Sequence, residues 1–182
     1  FGNDKNDTIY GGTGWDLIFG NRGDDWGFGG DGFDLMFGNR GNDCFEGNNG
    51  NDMIFGNDGN DQLDGQDGKD KIWGDNSSIG GLLGAVFNSN PGVDDIKGGP
   101  RHDRLREGPL NDKIYGEEGN DKIRGEVLIN ITSPGDDLLF GGTGYDKIRG
   151  QGGKDEIYGG VGRDKLNGGD DDDLIYGGQE KD

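Results

Sequence analysis

Eighteen aspartates recur along the chain at nine-residue intervals. Asp7, Asp16, Asp25, Asp34, Asp43, Asp52, Asp61 and Asp70 form one unbroken series, Asp94, Asp103, Asp112 and Asp121 a second, and Asp137, Asp146, Asp155, Asp164, Asp173 and Asp182 a third. Carboxylates in such numbers could solvate a flexible linker, work in pairs as acid and base, or supply oxygen to a hard cation. Their surroundings narrow the choice. Two residues after nearly every aspartate stands an apolar side chain, from Ile9, Ile18 and Met36 to Leu166 and Ile175, with Gly27 the exception. Five and two residues before it the chain prefers glycine, as Gly11 and Gly14 precede Asp16. A linker has no use for an aliphatic residue every nine positions, so this is a folded repeat.

Each unit reads as a six-residue turn, closed by the aspartate, followed by a three-residue strand whose middle residue points inward. Glycine lets the turn reach positive φ so that carbonyls converge. Asn21, Asn39, Asn48 and Asn57 take the second position, and Asn is the residue with a side chain that best tolerates the left-handed region.

Composition alone points the other way. The 182 residues include 43 glycines and 37 acidic against 18 basic side chains, with a net charge of −19 and only 27% hydrophobic residues. Such a chain cannot offset its conformational entropy by burying apolar surface unless cations cancel the charge and order the turns. Cys44 is the single cysteine, so there is no internal disulfide, and His102 the single histidine, so zinc lacks ligands. No apolar run is long enough to span a membrane, and the N-terminus does not resemble a signal peptide. The sequence opens on "FGNDKND" and closes on "GGQEKD", both inside a repeat, which suggests ends that stack head-to-tail or continue into further sequence.

The units "GGTGWDLIF", "GGDGFDLMF", "GGTGYDKIR" and "GGVGRDKLN" resemble the RTX, or haemolysin-type, calcium-binding nonapeptide repeats. The resemblance implies an all-β fold, a right-handed parallel β-roll solenoid in which successive units alternate between two sheets. It also implies calcium between turns stacked on one edge, 18 residues apart, with aspartate carboxylates and turn carbonyls as ligands. On that basis the metal residues are Asp7, Asp16, Asp25, Asp34, Asp43, Asp52, Asp61, Asp70, Asp94, Asp121, Asp137, Asp146, Asp155, Asp164 and Asp173, with weaker sites at Asp103, Asp112 and Asp182. Pairing each aspartate with the one two units on, within each series, allows at most twelve sites, whose charge of about +24 would outweigh the chain's −19, and about 8–12 bound Ca2+ are expected. The weaker sites follow from departures: Lys5, Arg101, Leu110, Asp171 and Glu180 replace the turn's fourth glycine, and Glu107 its first.

One roll over residues 1–182 of about nine coils is expected, with repeat blocks 1–73, 92–124 and 135–182 and insertions at about 75–91 and 126–134. Strand residues flanking the inward one face outward. If each insertion replaces a single turn, one outer face carries Leu17, Phe19, Leu35, Phe37, Met53, Phe55 and Trp73, then a basic stripe including Arg104, Arg106, Lys122 and Arg124. The apolar part suggests a covering by "LLGAVF" of the first insertion, a neighbouring domain or another copy of the chain. The basic part suggests an acidic polysaccharide or simple protection against aggregation, and nucleic acid is disfavoured by the overall charge. No nucleophile motif supports catalysis by His102, so the reading is not an enzyme. The expected role is a secreted, bacterial-type extracellular or cell-surface module that folds on calcium and assembles into a layer, matrix or filament. The alternatives are the calcium-dependent folding and secretion domain of a larger protease, lipase or toxin, or a carbohydrate-binding module.

Overall fold

A computed structural model of the chain describes residues 1–74, 93–100, 102–106, 111–125 and 135–179. The inward aliphatic of each unit nucleates a strand, and seventeen follow in order: β1 (Thr8–Thr13), β2 (Asp16–Arg22), β3 (Trp26–Asp31), β4 (Asp34–Arg40), β5 (Cys44–Asn49), β6 (Met53–Asp58), β7 (Gln62–Asp64), β8 (Lys71–Trp73), β9 (Asp95–Pro100), β10 (Arg104–Arg106), β11 (Lys113–Glu118), β12 (Lys122–Arg124), β13 (Leu138–Gly144), β14 (Lys147–Gln151), β15 (Glu156–Gly162), β16 (Lys165–Gly169) and β17 (Leu174–Gln179). The odd-numbered strands form a nine-stranded sheet and the even-numbered ones an eight-stranded sheet, in chain order along the axis. Every pairing is parallel. This is a β-solenoid of the β-roll kind. Its strands complete eight coils with one strand over, slightly fewer than the nine expected.

Many strands are six or seven residues rather than three. The reason is that the first half of each turn also keeps register with the coil beside it, as Gly12 with Gly30 and Thr13 with Asp31. Between the sheets runs a core one side chain thick from each strand, including Ile18, Met36, Ile54, Leu63, Ile72, Ile96, Ile114 and Ile148. Gly27, the unit without an aliphatic, leaves no void. A Cβ on Gly27 would touch the Phe45 ring at 3.0 Å, so the larger side chain one coil along fills its place.

Both insertions leave the register intact. Gln62 pairs with Asp95 and Lys71 with Arg104, 33 residues apart, while Lys113 pairs with Leu138 and Lys122 with Lys147, 25 apart. Each insertion therefore replaces one turn, and the outer faces continue across it. The strands also fix where the irregular segments emerge. The first insertion, "EGPL" and the second insertion precede β9, β11 and β13 in the sequence, three consecutive strands of the nine-stranded sheet. The turns of the other edge there depart from the pattern only at single positions, Arg101 and Glu117. The "LLGAVF" segment expected to cover the apolar face lies outside the described residues, as does Asp182.

The outer face of the eight-stranded sheet carries a stacked ladder, Phe1, Phe19, Phe37, Phe55 and Trp73, with ring centroids 4.5–5.2 Å apart and planes within 10°. Its spacing is the inter-strand distance itself. A second ladder, Tyr115, Phe140, Tyr158 and Tyr176, stacks on the opposite sheet.

Candidate metal centre

The aspartate closes each turn at the point where the chain enters a strand. Its backbone N–H can no longer pair within the turn and needs an acceptor. That acceptor is the carboxylate of the next coil. Asp7 donates to Asp25 Oδ1 at 2.8 Å, Asp16 to Asp34 at 2.9 Å, Asp25 to Asp43 at 2.8 Å and Asp34 to Asp52 at 2.8 Å. The chain of bonds continues to Asp173. It crosses the insertions without a gap, from Asp61 to Asp94, Asp70 to Asp103, Asp112 to Asp137 and Asp121 to Asp146. Sequence counting within blocks misses these four pairs. The described residues therefore hold fifteen carboxylate pairs, more than the twelve allowed by spacing alone.

With Oδ1 engaged, the second oxygen faces inward into the turn. The Oδ2 atoms of Asp16, Asp25, Asp34, Asp43, Asp52, Asp70, Asp94, Asp103, Asp121, Asp146 and Asp155 are buried and have no hydrogen-bond donor. Buried acceptors are almost always paired, so eleven such oxygens in register are a systematic feature and not a local defect. What they face is more oxygen. Asp70 Oδ2 and the Gly98 carbonyl each lie 2.6 Å from the point where a Cβ on Gly65 would sit. On the next coil of that edge, Asp103 Oδ2 and the Gly116 carbonyl lie 2.8 and 2.9 Å from the same point on Gly98. Any side chain at the turn's first position would fill this cradle. At the second and fourth positions the backbone is left-handed, as at Asn21 (φ 82°) and Gly23 (φ 125°), which turns successive carbonyls toward one side.

The electrostatics match the geometry. Burial pushes the carboxyls of Asp43, Asp94, Asp103 and Asp155 up to about 7, and those of Asp70 and Asp121 up to about 8. Asp52 and Asp146 rise to about 6 for the same reason. The accepted amide opposes the shift in each case, and for Asp121 the charges of Asp103 and Asp146 add to it. Without a cation, these groups resist ionisation at neutral pH.

Among the described residues no three His, Cys, Asp or Glu side chains cluster as a metal-binding group. A cation held here would draw on carboxylates from stacked turns and on backbone carbonyls. That donor set is all oxygen, which suits calcium with its six to eight ligands, and the orphaned Oδ2 atoms beside the glycine cradles supply a place for it.

Asp103 and Asp112 stand in the ladder as the others do, accepting from Asp70 and Asp94 at 2.8 Å. At the end coils, Asp7 and Asp173 are half-buried, and Asp7 Oδ2 instead accepts the Asn3 N–H at 2.6 Å. Asp171 adopts the left-handed conformation (φ 75°) of the glycine it replaces.

A second ladder escaped the sequence reading. The residue before the aspartate uses its side chain to accept the backbone N–H of its counterpart one coil on. Asn6 accepts from Asp24, Asp24 from Asn42, Asn42 from Asn60 and Asn60 from Val93, at 2.8–3.0 Å. It runs opposite to the aspartate ladder, so each turn is held from both neighbours. The recurrent Asn-Asp and Asp-Asp dipeptides were the available signal. His102 occupies this position, and its Nδ1 accepts the Asn120 N–H at 2.8 Å.

The family model for RTX calcium-binding nonapeptide repeats matches residues 1–27, 19–54, 46–77, 108–127, 131–166 and 153–182. The chain belongs to this family. RTX repeats bind Ca2+ and occur in secreted bacterial proteins, and they form a structural unit that is not catalytic by itself. The matches leave out 128–130 and the longer stretch 78–107, which contains most of the first insertion and Arg101, where the RTX pattern is most altered. Comparison of the whole chain with curated proteins gave no match. Among the described residues no helix is long and apolar enough to cross a membrane.

Proposed function

We propose that this RTX chain is an extracellular structural module that folds on binding a row of calcium ions along each edge and then assembles with further copies of itself. The row of donor-less Oδ2 atoms carries the reading. The ligands on one edge are Asp7, Asp25, Asp43, Asp61, Asp94, Asp112, Asp137, Asp155 and Asp173, and on the other Asp16, Asp34, Asp52, Asp70, Asp103, Asp121, Asp146 and Asp164. Calcium supplies the positive charge that lets these carboxylates be buried while ionised. The chain's own part is to present paired oxygens at the coil spacing and to keep side chains out of the cradle. Before binding, a net charge of −19 and a thin core oppose compaction, so folding and binding are one event.

Assembly rests on the apolar half of the eight-stranded sheet. Leu17 is half exposed, and Leu35, Met53, Phe19 and Phe37 are partly so. Phe55, within the same ladder, is already buried in the chain, so the part open to another copy or a neighbouring domain is the one carried by Leu17, Phe19, Leu35 and Phe37. The second reading, a folding and secretion domain of a larger secreted protein, is favoured by the near-complete coverage by RTX repeats, which leaves any catalysis elsewhere. Sedimentation velocity at millimolar calcium separates the two. Growth in mass with folding, abolished by Leu17→Glu with Leu35→Glu, supports assembly, whereas a folded, strictly monomeric chain excludes it.

A further inference from the structure

The eight-stranded sheet changes character after β8. From β10 to β16 its outward positions form two columns, Arg106, Arg124 and Arg149 in one, and Arg104, Lys122, Lys147 and Lys165 in the other, aligned by register. Coils repeat about every 4.8 Å and the columns stand roughly 7 Å apart, two residues along a strand. Between them lie Leu105, Ile123, Ile148 and Leu166, and the strip from Lys122 to Asn167 lines a shallow concavity. No acidic residue interrupts the columns.

Seven of the chain's 18 cations thus share one narrow face of a molecule with 37 acids. Among the described residues the single ion pair is Arg40 with Asp58, far from this face. The columns repel themselves. The charge of Arg124 in particular, with those of Arg104, Lys147 and Arg149, lowers the Lys122 ammonium, and burial with Arg124 lowers Arg106. Arg124 Nε is buried without an acceptor. Protection against edge pairing does not explain the arrangement, because β10, β12 and β14 are interior strands paired on both sides.

We infer that this stripe binds one extended strand of an acidic polysaccharide laid along the solenoid axis, its carboxylates held by arginine forks and lysines. Width selects the partner. The stripe is only two cations wide, a width that one extended polyanion strand covers, whereas a duplex or a bilayer spreads its charge over a far broader surface than the two columns offer. Single-stranded nucleic acid is disfavoured because Tyr145, the ring that Lys147 sits over, stands singly beside the stripe and does not form a row of platforms for successive bases. The inference needs the folded roll but not the self-association proposed above.

The test is calorimetric titration of the full chain, folded in millimolar calcium, with a linear oligogalacturonate too short to gel. Removing one charge-assisted hydrogen bond should weaken affinity about tenfold or more. Arg124→Glu with Lys147→Glu is therefore expected to bind much more weakly, while Arg22→Glu, outside the stripe, binds as before. Lys122→Gln with Lys147→Gln gives a milder loss and serves if the reversed variant fails to reach the calcium-folded circular dichroism spectrum. Absent binding, or equal binding by stripe and control variants, overturns the assignment. So does tighter binding of a single-stranded oligonucleotide or of phosphatidylglycerol vesicles.

Discussion

Each aspartate carries two separable duties, and they predict separable losses. Asp52 accepts the Asp34 N–H through Oδ1 and offers Oδ2 to the cradle. Asp52→Asn keeps an acceptor but removes the charge, so the roll should still fold in calcium with fewer ions bound and a higher calcium midpoint, read by calcium-electrode titration. Gly65→Ala tests the cradle from its other wall. A methyl 2.6 Å from both Asp70 Oδ2 and the Gly98 carbonyl should cost about 1–3 kcal/mol and weaken ion binding at that coil. The raised carboxyls also set a pH dependence. Their pKa is higher folded than unfolded, so without calcium their contribution is present below the unfolded value near 3.8 and lost as pH rises through about 6 to 8. In chelator, β-structure should therefore appear on acidification from pH 8 toward about 5, and circular dichroism unchanged across that range would contradict it. With calcium present the sign reverses, since protons compete for the same oxygens. The stacked aspartates were legible because they recur every nine residues within each block. The partner ladder of Asn6, Asp24, Asn42 and Asn60 was not, because Asn or Asp before Asp alternates with Trp15, Phe33, Lys69 and Lys154, and only the coil geometry shows what these side chains accept.

At the scale of strands and turns, the period was readable and its repair was not. Sequence spacing breaks at the two insertions, so pairing Asp61 with Asp94 or Asp112 with Asp137 looks arbitrary until strand register joins them. Strand length was underestimated because glycine turns look like loops, yet Gly12 and Gly30 pair across coils as strand residues do. The Gly27 gap is likewise visible in sequence, whereas its filling by Phe45 depends on the two lying opposite each other. Phe45→Ala should cost about 3–5 kcal/mol in thermal or denaturant unfolding, since it empties two positions of the core at once. The edges differ too. The sequence departs from the repeat in the segments before β9, β11 and β13, while the Asp121 turn on the other edge keeps Gly116, a left-handed Glu117 (φ 74°) and Gly119. Asp121→Ala should therefore raise the calcium midpoint for folding more than Asp112→Ala does.

The whole molecule is a chain with little core and a surplus of negative charge, made compact by repetition. Most coils bury two apolar side chains and stack on two neighbours, so stability is spread along the axis, and no coil suffices alone. The eight-stranded sheet then presents two unlike outer faces. One half of the eight-stranded sheet is apolar and stacked with aromatics, and the other is a basic stripe. Both exist only in the folded roll, which makes calcium the condition for any partner they take. The central claim is that ionised, cation-filled ladders hold this fold together. It is tested most directly by circular dichroism at neutral pH during a calcium titration in which bound ions are counted by equilibrium dialysis. The account predicts a disordered chain in chelator, a cooperative gain of β-structure at millimolar calcium or below, and several ions bound per chain in step with folding. A chain that is fully folded in chelator, or that folds without taking up calcium, would contradict it.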